Sequence, residues 1–519
     1  MRLGHAGRVA GRAAGARLLL RGPALPACHV AAASRQAGGE PAPAPAAAAA
    51  RRGRGRFDRR GSQAADASVP AFVPEGAGAG VTGAAGVGEN AGDGGGEGDG
   101  GRRAKRKVAL VFAYRGADYL GSQFNKDTAA GRTVEEEVMA AVYKAGGIDP
   151  RNHLRPGKLA WARSSRTDKG VHALQNVVSF KMLVASPDRA WSGDREGIAL
   201  ARSINRHLPP SVRVLSVQRV QKAFLARQHT VSRHYQYFVP TAVLAPGGGP
   251  GETREAVARF RAALSAYEGL RSFHNFTRRS LYRASAAGGG GLGAPAGEET
   301  VPDRVEWAFG GRKAASAKVS AFWWNREVDA ADAVTPAMRR RILSARCSDP
   351  RPLGEGAADA VCVELHGQSF IFNQIRYMMG AAICVARGVV PLDFLRCALS
   401  PPARVRFPLA PAEGLLLSGN EFALYQPEEK ASPKLPRLEV GERAAAAQAA
   451  FWEDVLRTDL AGSVGAGGPW DEFEESLESD YSDMYVEGNV SQIVQEWRSW
   501  YTEYLAKEAK EEAAKMKRL

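Results

Sequence analysis

The sequence of 519 residues is poor in cysteine and has no long apolar run. Its five cysteines form no CxxC pair and no Cys/His spacing, so we expect a reducing compartment, no disulfide framework and no structural zinc. No apolar stretch approaches the length of a membrane span, and we expect no membrane partner. Nucleotide-binding glycine motifs and the paired motifs of zinc deaminases are also lacking, so we predict no cofactor and no metal.

Positive charge is present in excess. The chain holds 70 Lys and Arg against 55 Asp and Glu, a net charge of +15. Residues 108–426 hold 42 basic and 27 acidic side chains, whereas residues 427–519 hold 11 and 20. The basic excess therefore lies in the predicted folded core, which fits a polyanionic partner such as nucleic acid. Plain solubility charge is the alternative.

Composition divides the chain into segments. The first 39 residues hold six arginines and no acidic residue, which is typical of an organellar transit peptide for a mitochondrion or plastid. A basic disordered tail is one alternative, and the basic cluster at 102–107 makes the nucleus another destination. The predicted segments are a transit peptide at 1–39, a disordered Ala/Gly/Pro-rich linker at 40–106, an N-terminal catalytic half at 107–240, a C-terminal half at 241–426 with an inserted loop at 284–299, and an acidic tail with a helical extension at 427–519.

Several local patterns predict secondary structure. Residues 108–114 are apolar on both faces and predict a central strand. Thr133 and Glu136 have the spacing of a capping box that opens a helix. Tyr235 and Tyr237 alternate along a predicted strand and should share one face. Further helices are predicted at 254–267, after residue 373 with an apolar face, and near the C-terminus, where apolar residues from 490 to 505 recur at helical spacing.

A polar turn at residues 163–180, RSSRTDKGVHALQNVVSF, runs directly into a β-branched strand. Loops at the end of a rigid sheet commonly carry the chemistry of a protein. Asp168 lies between Arg166 and Lys169, and these opposite charges should keep its carboxylate ionised and available as a nucleophile or base. An Asx-type turn that only joins two elements is the alternative.

This stretch resembles the catalytic motif of the TruA family of tRNA pseudouridine synthases, whose RTD-x-GV-x-A turn carries the nucleophilic aspartate. Further motifs of that family match in the same order between residues 107 and 426. They are Y-x-G-x-x-Y-x-G-x-Q at 114–123, N-x-x-LP at 205–209, F-x-A-R ending at Arg227, R-x-Y at Arg233 and Tyr235, SF-x-x-x-QIR-x-M-x-G at 369–380, and AP-x-x-GL-x-L at 410–417. Lys169 and the FHNFT segment at 273–277 resemble the eukaryotic multisite branch, whereas His172 resembles the bacterial enzymes.

The resemblance implies an α+β fold of two ferredoxin-like halves, with a joined antiparallel sheet, outer helices and a basic central cleft. It also implies a role for each matching site residue. Asp168 would be the catalytic residue, Arg376 its ion-pair partner, and Tyr235 the aromatic that stacks on the target base. Arg166 would hold the flipped base or a phosphate, and Arg227, His274 and Asn275 would contact the RNA. A buried connector is the alternative for the segment with His274 and Asn275.

The implied reaction is isomerisation of uridine to pseudouridine in tRNA, and possible further substrates are other RNAs. Asp168 could act in two ways, by adding to C1′ of the ribose or by removing the C2′ proton. The alternative function is that of a catalytically inactive RNA-binding or RNA-folding relative. We expect tRNA as the partner, no small-molecule cofactor, and a monomer or a homodimer.

Overall fold

The computed structural model describes residues 103–125, 132–187, 189–278, 322–324, 334–423, 438–481, 485 and 487–516. The predicted transit peptide at 1–39, the linker up to residue 102 and the inserted loop at 284–299 lie outside these residues and stay predictions. Within the described residues, no helix combines the length and the apolar character that a bilayer crossing needs.

Among the described residues, ten strands form one sheet and two short strands form a second. The strands are β1 Ala104–Tyr114, β2 Ala162–Arg163, β3 His172–Val184, β4 Val212–Arg219, β5 Thr230–Pro240, β6 Gly269–Ser272, β7 Phe322–Trp324, β8 Arg339–Cys347, β9 Arg351–Pro352, β10 Asp359–Gly367, β11 Ala403–Val405 and β12 Leu415–Phe422. The large sheet has the order β4-β1-β3-β12-β5-β10-β8-β6, with β2 beside β3 and β9 beside β10, and β11 pairs with β7.

The helices, which include several single turns, lie between and after the strands. They are α1 Val134–Lys144, α2 Pro156–Leu159, α3 Ile198–Asn205, α4 Ala226–His229, α5 Thr241–Leu244, α6 Pro250–Ala266, α7 Gln374–Ala386, α8 Leu392–Ala398, α9 Glu442–Phe451, α10 Arg457–Ser463, α11 Pro469–Ser476 and α12 Glu487–Met516. Two 3₁₀ turns, Pro150–Asn152 and Pro336–Met338, and two π-helical turns, Trp452–Leu456 and Leu477–Tyr481, complete the described elements. The α+β class is therefore confirmed.

The two halves of the sheet join through β12. This strand pairs antiparallel with β5 but parallel with β3, where Leu416 lies opposite His172 and Leu417 opposite Ala173. The joined sheet predicted from the sequence is thus present, but it is mixed rather than purely antiparallel. The parallel pair arises because β12 returns from the second half of the chain and runs in the same direction as β3.

One predicted boundary changes. The first strand begins at Ala104, so residues 104–106 belong to the sheet and not to the linker, because Ala104 pairs with Val184 on β3. The boundary between the two halves at residue 240 stays a prediction, and β5, the last strand before it, pairs with β12 and β10 from the second half of the chain.

Local chemistry explains the elements that the sequence predicted correctly. Strand β1 lies between β4 and β3, and alternate residues along it join the hydrophobic clusters on the two faces of the sheet. Helix α1 begins at Val134, and the Thr133 N–H donates to the Glu136 carboxylate at 2.8 Å. Helix α6 begins at Pro250, four residues earlier than predicted, because proline suits the first turn of a helix.

The C-terminal extension (residues 438–516) is part of the folded core. Phe451 and Leu460 join one hydrophobic cluster, and Trp470 and Trp497 join the other. The predicted amphipathic helix is α12, in which Val490, Val494 and Trp497 are buried, while Tyr501, Tyr504 and Leu505 are exposed. The N-terminal part of α12 therefore packs on the core as predicted, and residues 501–507 are exposed.

A close helix contact gives the first testable expectation. A Cβ at Gly380, in α7, would lie 2.0 Å from the carbonyl oxygen of Pro408. We expect Gly380→Ala to lower the free energy of unfolding by about 1–3 kcal/mol, because overpacking forces the backbone apart. Gly462→Ala, in α10, is the matched control, since nothing lies within 4 Å of its added Cβ. Urea unfolding of both variants would contradict the packing argument if Gly380→Ala were as stable as the control.

Candidate active site

The Asp168 loop (residues 164–171) joins β2 to β3, and its backbone is tied to neighbouring segments. The Thr167 N–H donates to Ser122 Oγ at 2.9 Å, and the Thr167 carbonyl accepts from the Ser122 N–H at 3.1 Å. The Tyr114 hydroxyl lies 2.7 Å from Thr167 Oγ1. Thr167 is buried and Asp168 is half-buried. These bonds fix the main chain that carries the Asp168 side chain at the edge of the core.

Glycines allow the same loop to turn and to pack closely. Gly170 has a φ of +82°, a conformation that side chains other than glycine rarely adopt, and the Val171 N–H donates to the Asp168 carbonyl at 3.2 Å. A Cβ at Gly116 would lie 2.1 Å from the Val171 carbonyl oxygen. The 115–118 segment therefore reaches the loop only because residue 116 is glycine.

Tyr235 lies close to Asp168 although the two residues are far apart in sequence. Its side chain is on β5, only 7% exposed, and its ring packs edge-on against Phe370 with centroids 5.1 Å apart. Burial raises the pKa of the Tyr235 hydroxyl well above its usual value, and the charge of Asp168 contributes to the same shift. Leu417 on β12 lies opposite both Ala173 on β3 and Tyr235 on β5, so β12 places Tyr235 beside the strand that follows the Asp168 loop.

Arginines surround the outer side of the Asp168 loop. Burial lowers the pKa of Arg166, and the positive charges of Arg163 and Arg227 lower it further. Arg166 and Arg227 are exposed, whereas Arg163 forms a two-bond ion pair with Glu135 at 2.5 and 2.7 Å. Two exposed guanidinium groups that repel one another favour an anionic ligand, and an RNA phosphate would provide that charge.

Arg233 is a site residue to which the sequence analysis gave no role. It donates to Ser165 Oγ at 3.1 Å, to the Ser164 carbonyl at 2.9 Å and to the Gln368 carbonyl at 2.6 Å. The Ser165 hydroxyl in turn donates to Asn420 Oδ1 at 2.8 Å. Arg233 therefore anchors the start of the Asp168 loop to β5 and to the segment after β10. In the sequence, Arg233 could have been identified as a site residue because it is the first residue of the R-x-Y motif.

Arg376 lies in the first turn of α7 and is half-buried. Its Nε donates to the Ala410 carbonyl at 2.7 Å. This bond joins the predicted QIR motif to the segment that leads into β12, so both motifs border the site. The ion pair of Arg376 with Asp168 stays a prediction.

Comparison with known proteins identifies this arrangement. Residues 326–422, which include Arg376 and β12, match the family described as tRNA pseudouridine synthase. The tRNA pseudouridine synthase 1 of Eremothecium gossypii is 31% identical over 363 residues, which cover 62% of this chain and 64% of that protein. The chain is similar to this family over part of its length. The resemblance noted in the sequence is thereby confirmed.

Other proteins similar to this chain have different names. The pseudouridylate synthase 1 homolog of Mus musculus is 29% identical over 328 residues, 62% of either chain. The tRNA pseudouridine(27/28) synthase of Saccharomyces cerevisiae is 28% identical over 337 residues, which cover 61% of this chain and 84% of that protein. The chain thus spans less than two thirds of the length of the Eremothecium gossypii and Mus musculus proteins. It spans 84% of the tRNA pseudouridine(27/28) synthase.

Two residues predicted to contact substrate have structural partners instead. His274 is 1% exposed, and its Nε2 lies 2.8 Å from the Ala403 carbonyl oxygen. Asn275 is 8% exposed and donates to the Ala398 carbonyl at 2.7 Å, while its Oδ1 accepts from the Val405 N–H at 3.1 Å. The prediction of RNA contacts for these two residues is corrected to the buried connector, because their polar atoms hold the main chain around β11.

The correction has a measurable consequence. We expect Asn275→Ala to lower the free energy of unfolding by about 1–3 kcal/mol, because the Val405 N–H is left without its acceptor. Its affinity for tRNA, measured by filter binding, should stay that of the wild type. Arg227→Ala should do the opposite, because this arginine is exposed: it should weaken tRNA binding and leave stability unchanged. Loss of tRNA binding by a fully stable Asn275→Ala protein would restore the original interpretation.

Three residues of the large sheet lie together with the spacing of metal ligands. The side-chain ligand atoms of His234, His366 and Glu421 lie within 4.8 Å of one another. Sequence spacing did not reveal the set because β5, β10 and β12 each supply one residue. Glu421 already accepts hydrogen bonds from the Ser232 hydroxyl at 2.5 Å and from His234 at 3.0 Å, and the two imidazole rings stack at 4.0 Å. These contacts favour a hydrogen-bonded cluster over a metal centre.

Proposed function

We propose that this protein isomerises uridine to pseudouridine in tRNA. The observation that carries the proposal is the proximity of Asp168 and Tyr235 beside two exposed arginines, in a chain that is similar to tRNA pseudouridine synthases. The relatives named for this activity supply the substrate class. The basic excess of residues 108–426 supports a polyanionic partner.

The proposed reaction breaks the N1–C1′ bond, turns the uracil and joins C5 to C1′, while the C5 proton is lost and N1 gains one. Breaking a glycosidic bond develops positive character at C1′, which a fixed carboxylate can stabilise or capture. Asp168 is the proposed group, and addition to C1′ or removal of the C2′ proton are its two possible first steps. The product is an isomer of the substrate, so the chemistry requires no oxidant and no group donor.

The remaining residues are proposed to expose and hold the base. A uridine inside a stacked arm must be flipped out, and the flipped base then needs an aromatic surface and cations on its backbone. We assign the stacking surface to Tyr235, the backbone contacts to Arg166 and Arg227, and the orientation of Asp168 to Arg376. Burial raises the pKa of the Tyr235 hydroxyl, so at neutral pH we assign it the donation of a hydrogen bond beside the site where the C5 proton is lost.

The test is tritium release from tRNA transcripts that carry [5-³H]uridine, with filter binding of the same transcripts measured in parallel. Release by the wild-type full chain, at uridines located afterwards by chemical mapping of pseudouridine, is the expected result. Tight binding of tRNA with no release from any transcript would overturn the proposal in favour of the RNA-binding alternative.

A further inference from the structure

The C-terminal extension reaches the strand that follows the Asp168 loop. Asp459, in α10, places its Oδ2 3.6 Å from Nε2 of His172, the first residue of β3. The other oxygen of Asp459 lies 3.5 Å from Arg115. The His172 side chain is 1% exposed, whereas Asp459 is 27% exposed. A carboxylate from the last part of the chain therefore faces a buried imidazole at the end of the loop.

The contacts of the His172 ring define its tautomer. Its Nδ1 accepts a hydrogen bond from the Gly116 N–H at 3.3 Å, so Nδ1 carries the lone pair. Burial lowers the pKa of His172, and the charge of Asp459 opposes that shift, which leaves the ring neutral at pH 7. The proton of the neutral ring is then on Nε2, which is buried and lies 3.6 Å from the Asp459 carboxylate. The Glu413 backbone also forms a hydrogen bond with the ring, and the Glu413 charge acts on it in the same direction as that of Asp459.

This ring orientation matters for the neighbouring loop. The Gly116 N–H that bonds to His172 belongs to the same residue whose Cα packs against the Val171 carbonyl. If the proton moved to Nδ1, two N–H groups would face each other, and the 115–118 segment would have to move away. Val171 is bonded to the Asp168 carbonyl, so the displacement would reach the residue that carries the carboxylate.

We propose that Asp459 and His172 are positioning residues for Asp168. In this arrangement the C-terminal extension holds the imidazole in the one orientation that keeps the 115–118 segment against the Asp168 loop. The inference rests on the proposed function, because Asp168 is the group that is positioned. It also gives the extension a role in the reaction beyond covering the core.

The variant Asp459→Ala tests whether Asp459 positions the Asp168 loop through His172. Asp459 lines a cavity of about 510 Å³ together with Arg115, Glu413, Thr458 and Ser463, so truncation removes a charge without opening a new hole in the core. Glu474→Ala is the matched control. Glu474 is also 27% exposed and also ties the extension to the core, through a 3.0 Å ion pair with Arg387 at the end of α7.

Both variants are compared with the wild-type full chain in steady-state tritium release, thermal unfolding and hydrogen exchange of the peptides that cover residues 164–172. We expect Asp459→Ala to lower kcat by about ten- to a hundredfold with KM unchanged, on the scale that a small misplacement of a reacting group costs. Exchange at 164–172 should be faster only in this variant. Asp459→Asn, which keeps an acceptor oxygen, should recover most of kcat.

Equal kcat values and equal loop exchange for Asp459→Ala and Glu474→Ala would overturn the inference, because the extension would then act only through stability. Hydrogen exchange decides the question even if the wild type releases no tritium. In that case faster exchange confined to Asp459→Ala supports the positioning contact, and the missing release counts against the proposed reaction alone.

Discussion

Asp168→Ala should lose tritium release by roughly 10⁴-fold or more, the scale of loss when a nucleophile is removed from an active site. The reason is that C1′ would develop its positive character with no carboxylate to stabilise or capture it. The side chain is half-buried at the edge of a loop whose backbone is held by Thr167 and Gly170. The fold and the affinity for tRNA should therefore survive the change, as measured by circular dichroism and filter binding.

A second aspartate serves as the control for the Asp168→Ala experiment. Asp349 is 91% exposed and forms a surface ion pair with Arg261, so Asp349→Ala should leave release at the wild-type rate. Asp168→Asn, which keeps the size of the side chain but not its charge, should be as inactive as Asp168→Ala. Substantial release by either Asp168 variant would mean that another group attacks or stabilises C1′, and the role of Asp168 would have to be abandoned.

Arg163→Met should lower the free energy of unfolding by about 3–5 kcal/mol, because it leaves an uncompensated carboxylate in the core. The partner, Glu135, is 2% exposed as a side chain, and both of its oxygens accept from Arg163. It also accepts from the Phe124 N–H at 2.8 Å. The pair thus joins α1, β2 and the segment before α1, and urea unfolding is the measurement.

Two further variants separate charge from packing. Adding Glu135→Gln to Arg163→Met should recover part of the stability, since no charge then remains buried. Arg132→Met removes a guanidinium group that is 78% exposed and pairs with Glu137, so we expect it to cost less than about 1 kcal/mol. If Arg163→Met were as mild as Arg132→Met, the Glu135 carboxylate would have to find another partner or be protonated.

The parts of the fold that were predictable from the sequence are those set by neighbouring residues. The start of α1 follows from Glu136 and the Thr133 N–H, and the shared face of Tyr235 and Tyr237 follows from strand alternation. The parallel pairing of β12 with β3 was not predictable from such patterns. Alternation is the same for parallel and antiparallel neighbours, and the pairing residues, His172 and Leu416, are distant in the chain.

The candidate site also has residues that could be predicted from the sequence and residues that could not. The motif around Asp168 indicated the loop, and the residue pattern placed Tyr235 and Arg376 near it. His274 and Asn275 were misassigned because an amide or imidazole that binds RNA and one that binds a buried carbonyl look alike in sequence. Only the carbonyls of Ala398 and Ala403, supplied by a distant segment, distinguish the two. Arg233 was missed for the same reason, since its partners in the loop are distant in sequence.

The place of β12 also has a consequence for how the protein is made. As the chain leaves the ribosome, β1, β3 and β4 emerge long before Leu415–Phe422, the strand that lies between β3 and β5. Until that strand arrives, one side of β5 and the start of β3 at His172 and Ala173 have no strand partner. Open strand edges are where nascent chains associate wrongly. A truncation that stops before residue 415 should therefore aggregate rather than yield a folded N-terminal half. The same strand completes the sheet beside Asp168, so the site forms only after almost the whole core has been synthesised.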